Sequence, residues 1–275
     1  MRFSGFGGAY EGSSFAELLE IDHPQMRVAW RALLQQSGAA PIAAPHGTTV
    51  LAFKYADGVI VAGDRLATEG YRVASRDVQK VYATDGHSMI AIAGAAGPAI
   101  EMARLMRIEL EHYEKIEGEA LELDGKANKL SQMVRANLPA AMQGLVVVPL
   151  FAGYDLRRRQ GRIWKFDVTG GRYEEADFEA TGSGGLYAKE VLKQRHHSDA
   201  SRSDALEIAV SALQNAADED RGTGGIDTVR RIFPTVLTCS SSGIESAVER
   251  EIESAYQHSV ASRANHRLEH RGAGA

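Results

Sequence analysis

The stretch TTVLAFKYADGVIVAG, from Thr48 to Gly63, constrains the fold more than any other part of the chain. Two apolar runs rich in β-branched and aromatic residues flank Ala56, Asp57 and Gly58. Asp-Gly is a favoured two-residue hairpin loop, so the stretch reads as a pair of antiparallel strands. With Asp57 and Gly58 as the loop, residue i pairs with about 115 minus i, which sets Thr48 opposite roughly Ala67 and close to Asp64.

The same periodicities carry on along the chain. KVYAT and SMIAIAG read as strands around Asp85-Gly86, and Pro98 opens an amphipathic helix through AIEMARLMRIELEHY. KANKLSQMVRANL is a second helix that stops or kinks at Pro139. LVVVPLFAGYD, its hairpin partner GRIWKFDVTG and YEEADFEATGSGG return to strand. GLYAKEVLKQRH and SDALEIAVSALQNAADED are helical, the second with Ser203 as its cap. IFPTVLT is a last strand, GIESAVEREIESAY a last helix, and residues 258–275 lose their apolar period and read as a flexible tail. Strands, two helices, strands and two helices make an α/β (α+β) chain with two stacked sheets and helices outside them.

The 275 residues, 44% of them hydrophobic, are enough to bury a full core. A net charge of −5, with both signs mixed along the chain, offers no face to a nucleic acid. No apolar run reaches a membrane span and the N-terminus lacks a signal-peptide core, so a cytoplasmic location with no membrane partner is expected. Cys239 is the single cysteine and lies in an apolar run, which suits a buried thiol and excludes an internal disulfide. TGSGG is followed by neither a dinucleotide fingerprint nor a phosphate-loop lysine, and the adjacent His196 and His197 cannot both face one metal. No cofactor is expected.

Residues 1–47 differ in character. GFGG and GSS are flexible, HPQMRVAWRALLQQ places Met26, Trp30, Leu33 and Leu34 on one helical face, and SGAAPIAAPHG is a linker suited to cleavage. A threonine hydroxyl is a poor nucleophile, but an N-terminal threonine carries its own base, an α-amine with pKa of about 8. Removal of residues 1–47 gives Thr48 that amine, and Gly47 leaves the carbonyl to be cut without a neighbouring side chain. Taken alone, Thr48 and Thr49 can equally well just begin a strand.

Five segments tip the balance. GTTVLAFKYADGVIVAGDRLAT, Lys80 in RDVQKVY, IAIAGAAGPA, ATGSGGLYA and DEDRGTGG, spread between Gly47 and about Tyr256, resemble the catalytic β subunits of the 20S proteasome, and most of all the bacterial β subunit of actinobacteria. The resemblance implies a four-layer αββα sandwich of the N-terminal nucleophile hydrolase type, with a propeptide (1–47) removed by autolysis, a catalytic domain (48–257) and a tail. It implies Thr48 as nucleophile and proton acceptor, Lys80 as the cation beside it, Asp64 as the partner of Lys80, and Gly94 as oxyanion donor. Ser183 then contacts the threonine amine, Asp220 supports it, and Thr223 stands where the family often has serine. Ala67, Val78, Ile92 and Ala96 would wall an apolar pocket, favouring cleavage after hydrophobic residues, while Thr49, Thr68 and Gly94 would offer a backbone edge to the peptide. Leu66 departs from the family, where many active subunits carry arginine. The implied partners are other β subunits in seven-membered rings, α subunits outside them, and an ATPase ring delivering tagged unfolded protein. A non-catalytic ring subunit and another amidohydrolase of the same fold are the alternatives.

Overall fold

A computed structural model describes residues 47–69 and 72–272; the expected leader helix and linker lie outside the described residues. Strands β1 (Thr49–Tyr55) and β2 (Gly58–Gly63) form the hairpin at the centre of one sheet. That sheet continues through β10 (Phe178–Gly182) on one side and β11 (Thr235–Ser240) and β12 (Gly243–Ser246) on the other, in the order β10-β1-β2-β11-β12. The second sheet runs in sequence order through β5 (Val81–Ala83), β6 (Ser88–Gly94), β7 (Val147–Asp155), β8 (Gln160–Phe166) and β9 (Arg172–Glu175). All named pairings are antiparallel. A small hairpin, β3 (Ala67–Glu69) with β4 (Arg72–Ser75), stands apart from both sheets.

The alternation of side chains along each strand decides the layering. On β1, Val50 and Ala52 turn inward and pack with Val61, Met89, Ala91, Leu150 and Ile163 between the two sheets. Leu51 and Phe53 turn the other way, beneath α4 (Gly185–Arg195), α5 (Arg202–Glu219) and α6 (Glu249–Gly272). On the second sheet Ile90, Phe151 and Trp164 face α1 (Ala96–Glu117) and α2 (Leu123–Ala136). Helices, sheet, sheet and helices make the expected four layers, and both faces of each central strand are buried, which explains why TVLAFKY is nearly all apolar. Pro139 falls in α3 (Leu138–Ala141), one short turn after α2.

Four details differ from the expectation. The hairpin loop is Ala56-Asp57, not Asp57-Gly58, because Gly58 also pairs with Ser240 of β11 and is held in the strand. Pairs such as Val50 with Gly63 and Tyr55 with Gly58 shift the partner by two residues, which keeps every side chain on its face but sets Asp64 against Thr49 rather than Thr48. GIES is not helical; it pairs with β11 as β12, and α6 then continues past His258 to Gly272. The cap of α5 is Ser201, whose hydroxyl accepts from the Asp204 amide while the Asp204 carboxylate accepts from the Ser201 amide. Among the described residues no helix is long and apolar enough to cross a membrane.

Candidate active site

The site forms where β1 begins. Thr48 precedes β1 and is 5% exposed, and its carbonyl accepts from the Ser183 amide at 2.9 Å. Thr49 pairs with Gly182, so the TGSGG turn between β10 and α4 is clasped onto the threonines. A Cβ built on Gly182 would lie 3.4 Å from the Ala93 side chain, which brings the end of β6, and so Gly94, up to the same corner.

Two carboxylates organise the surroundings. Asp64 is buried and uses both oxygens: Oδ1 accepts from Lys80 Nζ at 2.7 Å and from the Thr49 amide at 2.8 Å, and Oδ2 accepts from the Leu66 and Gly224 amides at 2.9 and 2.8 Å. Lys80 also donates to the Leu66 carbonyl at 2.6 Å. Burial lowers the pKa of the Lys80 ammonium below the usual lysine value, opposed by the charge and hydrogen bond of Asp64 and by the charge of Asp220. Where the family often has arginine, Leu66 contributes main chain to both members of the pair, while Arg65 turns to Asp77.

The second carboxylate, Asp220, follows α5. Its Oδ2 accepts from Ser183 Oγ at 2.5 Å and from Thr223 Oγ1 at 2.6 Å, and its Oδ1 from the Gly222 amide at 3.1 Å. Ser183 Oγ in turn accepts from the Thr48 nitrogen at 3.3 Å. The only hydrogen of Ser183 is best placed on Asp220, since the alternative acceptor, the Thr48 carbonyl, is 3.4 Å away. Ser183 thus presents a lone pair to Thr48, as an amine-supporting group must.

Across the Gly47–Thr48 peptide bond, Thr48 Oγ1 donates to the Gly47 carbonyl at 2.6 Å. The nucleophile candidate is hydrogen-bonded to the group it would attack. Gly94 ends β6 with φ 121°, a backbone shape open to glycine and strained for other residues.

The remaining expected positions scatter more. Ala67 and Val78 are half-buried within the Arg65 to Lys80 segment, Ile92 faces the core under α1, and Ala96 is exposed. Thr68 lies in β3, which pairs with β4 alone among the described residues. Thr49 is placed differently from the expected peptide-binding edge: its amide and carbonyl are both bonded to Asp64 and its side chain is fully buried. Its hydroxyl, which sequence reasoning overlooked, lies 2.6 Å from Thr223 Oγ1. Strand alternation contained the signal, because residue 49 points away from the inter-sheet core with Leu51 and Phe53. A cavity of about 400 Å³ adjoins the site at Leu66, Thr223 and Gly224, and none of the four expected pocket-wall residues lines it.

A four-layer sandwich with a buried threonine at the head of a central strand, a serine hydroxyl accepting from its nitrogen, and a buried lysine paired with the aspartate that holds the next residue's amide has the architecture of the N-terminal nucleophile hydrolases. Within that class, a family model described as proteasome subunit matches residues 44–232. The chain is 49% identical over 239 residues to a proteasome subunit beta of Streptomyces griseus, covering 87% of this chain and 84% of the relative. It is 55% identical over 240 residues to one of Rhodococcus erythropolis (84% and 82%), and 48% over 255 residues to one of Stackebrandtia nassauensis (91% of each). The chain belongs to the proteasome subunit family and is of the β type, a threonine endopeptidase subunit of a proteasome core assembled with α-type subunits.

Proposed function

We propose that Thr48 becomes the catalytic residue of this peptidase by cutting its own bond to Gly47, dividing the chain into a leader of residues 1–47, a catalytic domain of 48–257 and a tail. The observation that carries the reading is the Thr48 hydroxyl held 2.6 Å from the Gly47 carbonyl oxygen, with Ser183 and Asp220 already gathered under the Thr48 nitrogen.

After cleavage, Thr48 Oγ attacks a peptide carbonyl carbon and its proton passes to the freed α-amine. Lys80, with two of its three donors on Asp64 and Leu66, turns the third to the Thr48 oxygen and lowers the cost of its negative charge. The tetrahedral oxyanion accepts from the Gly94 amide. Collapse breaks the C–N bond, the ammonium returns its proton to the leaving amine, and an ester on Thr48 remains. Water, deprotonated by the same amine, hydrolyses that ester and restores the hydroxyl. Thr223 holds Asp220 as a serine would.

Ala67, Val78 and Ala96 carry no charge, which favours cleavage after hydrophobic residues, and β3 offers Thr68 as main-chain edge to the substrate. Seven-membered β rings between α rings, an ATPase ring feeding unfolded tagged protein, and a cytoplasmic location complete the proposal, on the strength of the family.

Intact mass after co-expression with the α-type subunit tests it. Loss of residues 1–47 from wild type but not from Thr48→Ala supports self-cleavage. A full-length wild type in assembled, inactive particles sinks it and leaves the non-catalytic ring subunit; hydrolysis of small acylated amides in place of a peptide amide with a large apolar residue points to the other amidohydrolase.

A further inference from the structure

Thr49 lies fully buried one residue beyond the nucleophile, and its hydroxyl belongs to a chain of hydrogen bonds whose direction follows from the donors available. Thr223 Oγ1 has one hydrogen, and the Asp220 carboxylate at 2.6 Å can only accept it. Thr49 Oγ1, 2.6 Å from Thr223 Oγ1, must therefore be the donor in that contact. Its own lone pair accepts from the Gly184 amide at 3.0 Å, in the turn that also carries Ser183. The order runs from the Gly184 N–H to Thr49, from Thr49 to Thr223, and from Thr223 to Asp220 Oδ2. Ser183 donates to that same oxygen from the other side while accepting from Thr48.

We propose that the Thr49 hydroxyl is a positioning residue for catalysis: it links the Ser183-Gly184 turn to the Thr223-Asp220 loop and so fixes the Ser183 lone pair under the Thr48 amine. The proposal rests on the roles given above to Ser183 and Asp220. It also accounts for the placement of Thr49, whose main chain is tied to Asp64 while its side chain is tied to Asp220 through Thr223. One residue joins the two carboxylate clusters on either side of the nucleophile.

The test compares matured particles, co-expressed with the α-type subunit, carrying Thr49→Val, which keeps shape without the hydroxyl, and Thr49→Ser, which keeps the hydroxyl. Hydrolysis of a fluorogenic peptide amide should show kcat reduced by about tenfold or more in Thr49→Val with KM within about twofold, and Thr49→Ser within about threefold of wild type. In a Ser183→Ala background, Thr49→Val should lower kcat by no more than about a further twofold, because both changes act on one network. An unchanged kcat in Thr49→Val, equal losses in the serine and valine variants, or multiplicative losses with Ser183→Ala would overturn the proposal. Assembly of Thr49→Ser but not of Thr49→Val would overturn it too, by assigning the hydroxyl to folding. A Ser183→Ala particle as active as wild type is a separate result, and sinks the reading beneath the proposal instead.

Discussion

Lys80 Nζ lies 2.7 Å from Asp64 Oδ1, with the two side chains 5% and 0% exposed. A buried pair of this kind is costly to break, because the survivor keeps its charge and loses its partner, at about 3–5 kcal/mol. Asp64 carries the greater consequence, since its carboxylate also accepts from three backbone amides on separate segments.

Asp64→Asn should lower peptide turnover by about a hundredfold or more, the scale of losing a preorganised charge at a reacting centre. Its pH dependence has a definite sign. Burial lowers the Lys80 pKa and the Asp64 charge opposes that fall, so removing the charge lets Lys80 lose its proton at a lower pH. The alkaline limb of residual kcat in Asp64→Asn should move to lower pH than in wild type. A limb that stays in place, measured on matured particles, would show that Lys80 does not need its charge.

Cys239 should be silent in the native protein. It is fully buried between the sheets, and burial pushes its thiol up to about 11. At pH 8 the thiolate is roughly a thousandth of the population, on top of the steric block. Alkylation followed by intact mass should show no adduct in the folded protein and one adduct after denaturation. Rapid native labelling would contradict the packing of β11.

The layers were legible because strand alternation and helix periodicity are local properties, and Leu51 against Val50 already separates the two faces of β1. Ser203 reads as the cap ahead of the apolar face of α5, but the reciprocal partner Asp204, three residues after Ser201, makes Ser201 the cap. GIES carries little pattern of its own and reads as the start of the last helix; pairing with Leu237 to Ser240 makes it β12. At the site, the resemblance to proteasome β subunits, carried by five motifs, marked Thr48, Asp64, Lys80, Ser183 and Asp220, and the fold ties these residues into one network. Leu66 and Gly224 lie beyond that signal, since they act on the site through main-chain groups.

Glu179 predicts how the fold answers acid. It is 4% exposed on β10, and its burial, which alone would raise its pKa, is outweighed by Lys189, the Ala180 amide and Lys165, leaving the pKa below the usual glutamate value. The unfolded chain therefore binds the proton more readily, and the stabilisation is complete above the ordinary glutamate range and lost as pH falls through it. Glu179→Gln should have a lower Tm than wild type at pH 7, with the gap closing as the pH is lowered toward 3. A gap that is constant with pH would mean the lost contacts, rather than the charge, set the difference.

Gly47 meets the main chain of the loop that holds Asp220. A Cβ built on Gly47 would lie 2.5 Å from Gly222 Cα, 2.6 Å from its carbonyl oxygen and 2.8 Å from Thr68 Oγ1. Backbone cannot yield as a flexible side chain can, so Gly47→Ala must displace the Gly222 segment or rotate its own carbonyl away from Thr48 Oγ1, and a displacement of about 1 Å at a reacting centre is worth on the order of a hundredfold in rate. Maturation of Gly47→Ala should therefore be at least tenfold slower by intact mass over time. The effect belongs to the precursor alone, because the proposed cleavage removes residue 47 with the leader. Particles in which Thr48 is exposed by an added protease should turn over peptide at the wild-type rate whichever residue stood at 47. Equal maturation of the two precursors would mean the Gly222 loop is free to move, and the close approach would then have no part in choosing glycine there.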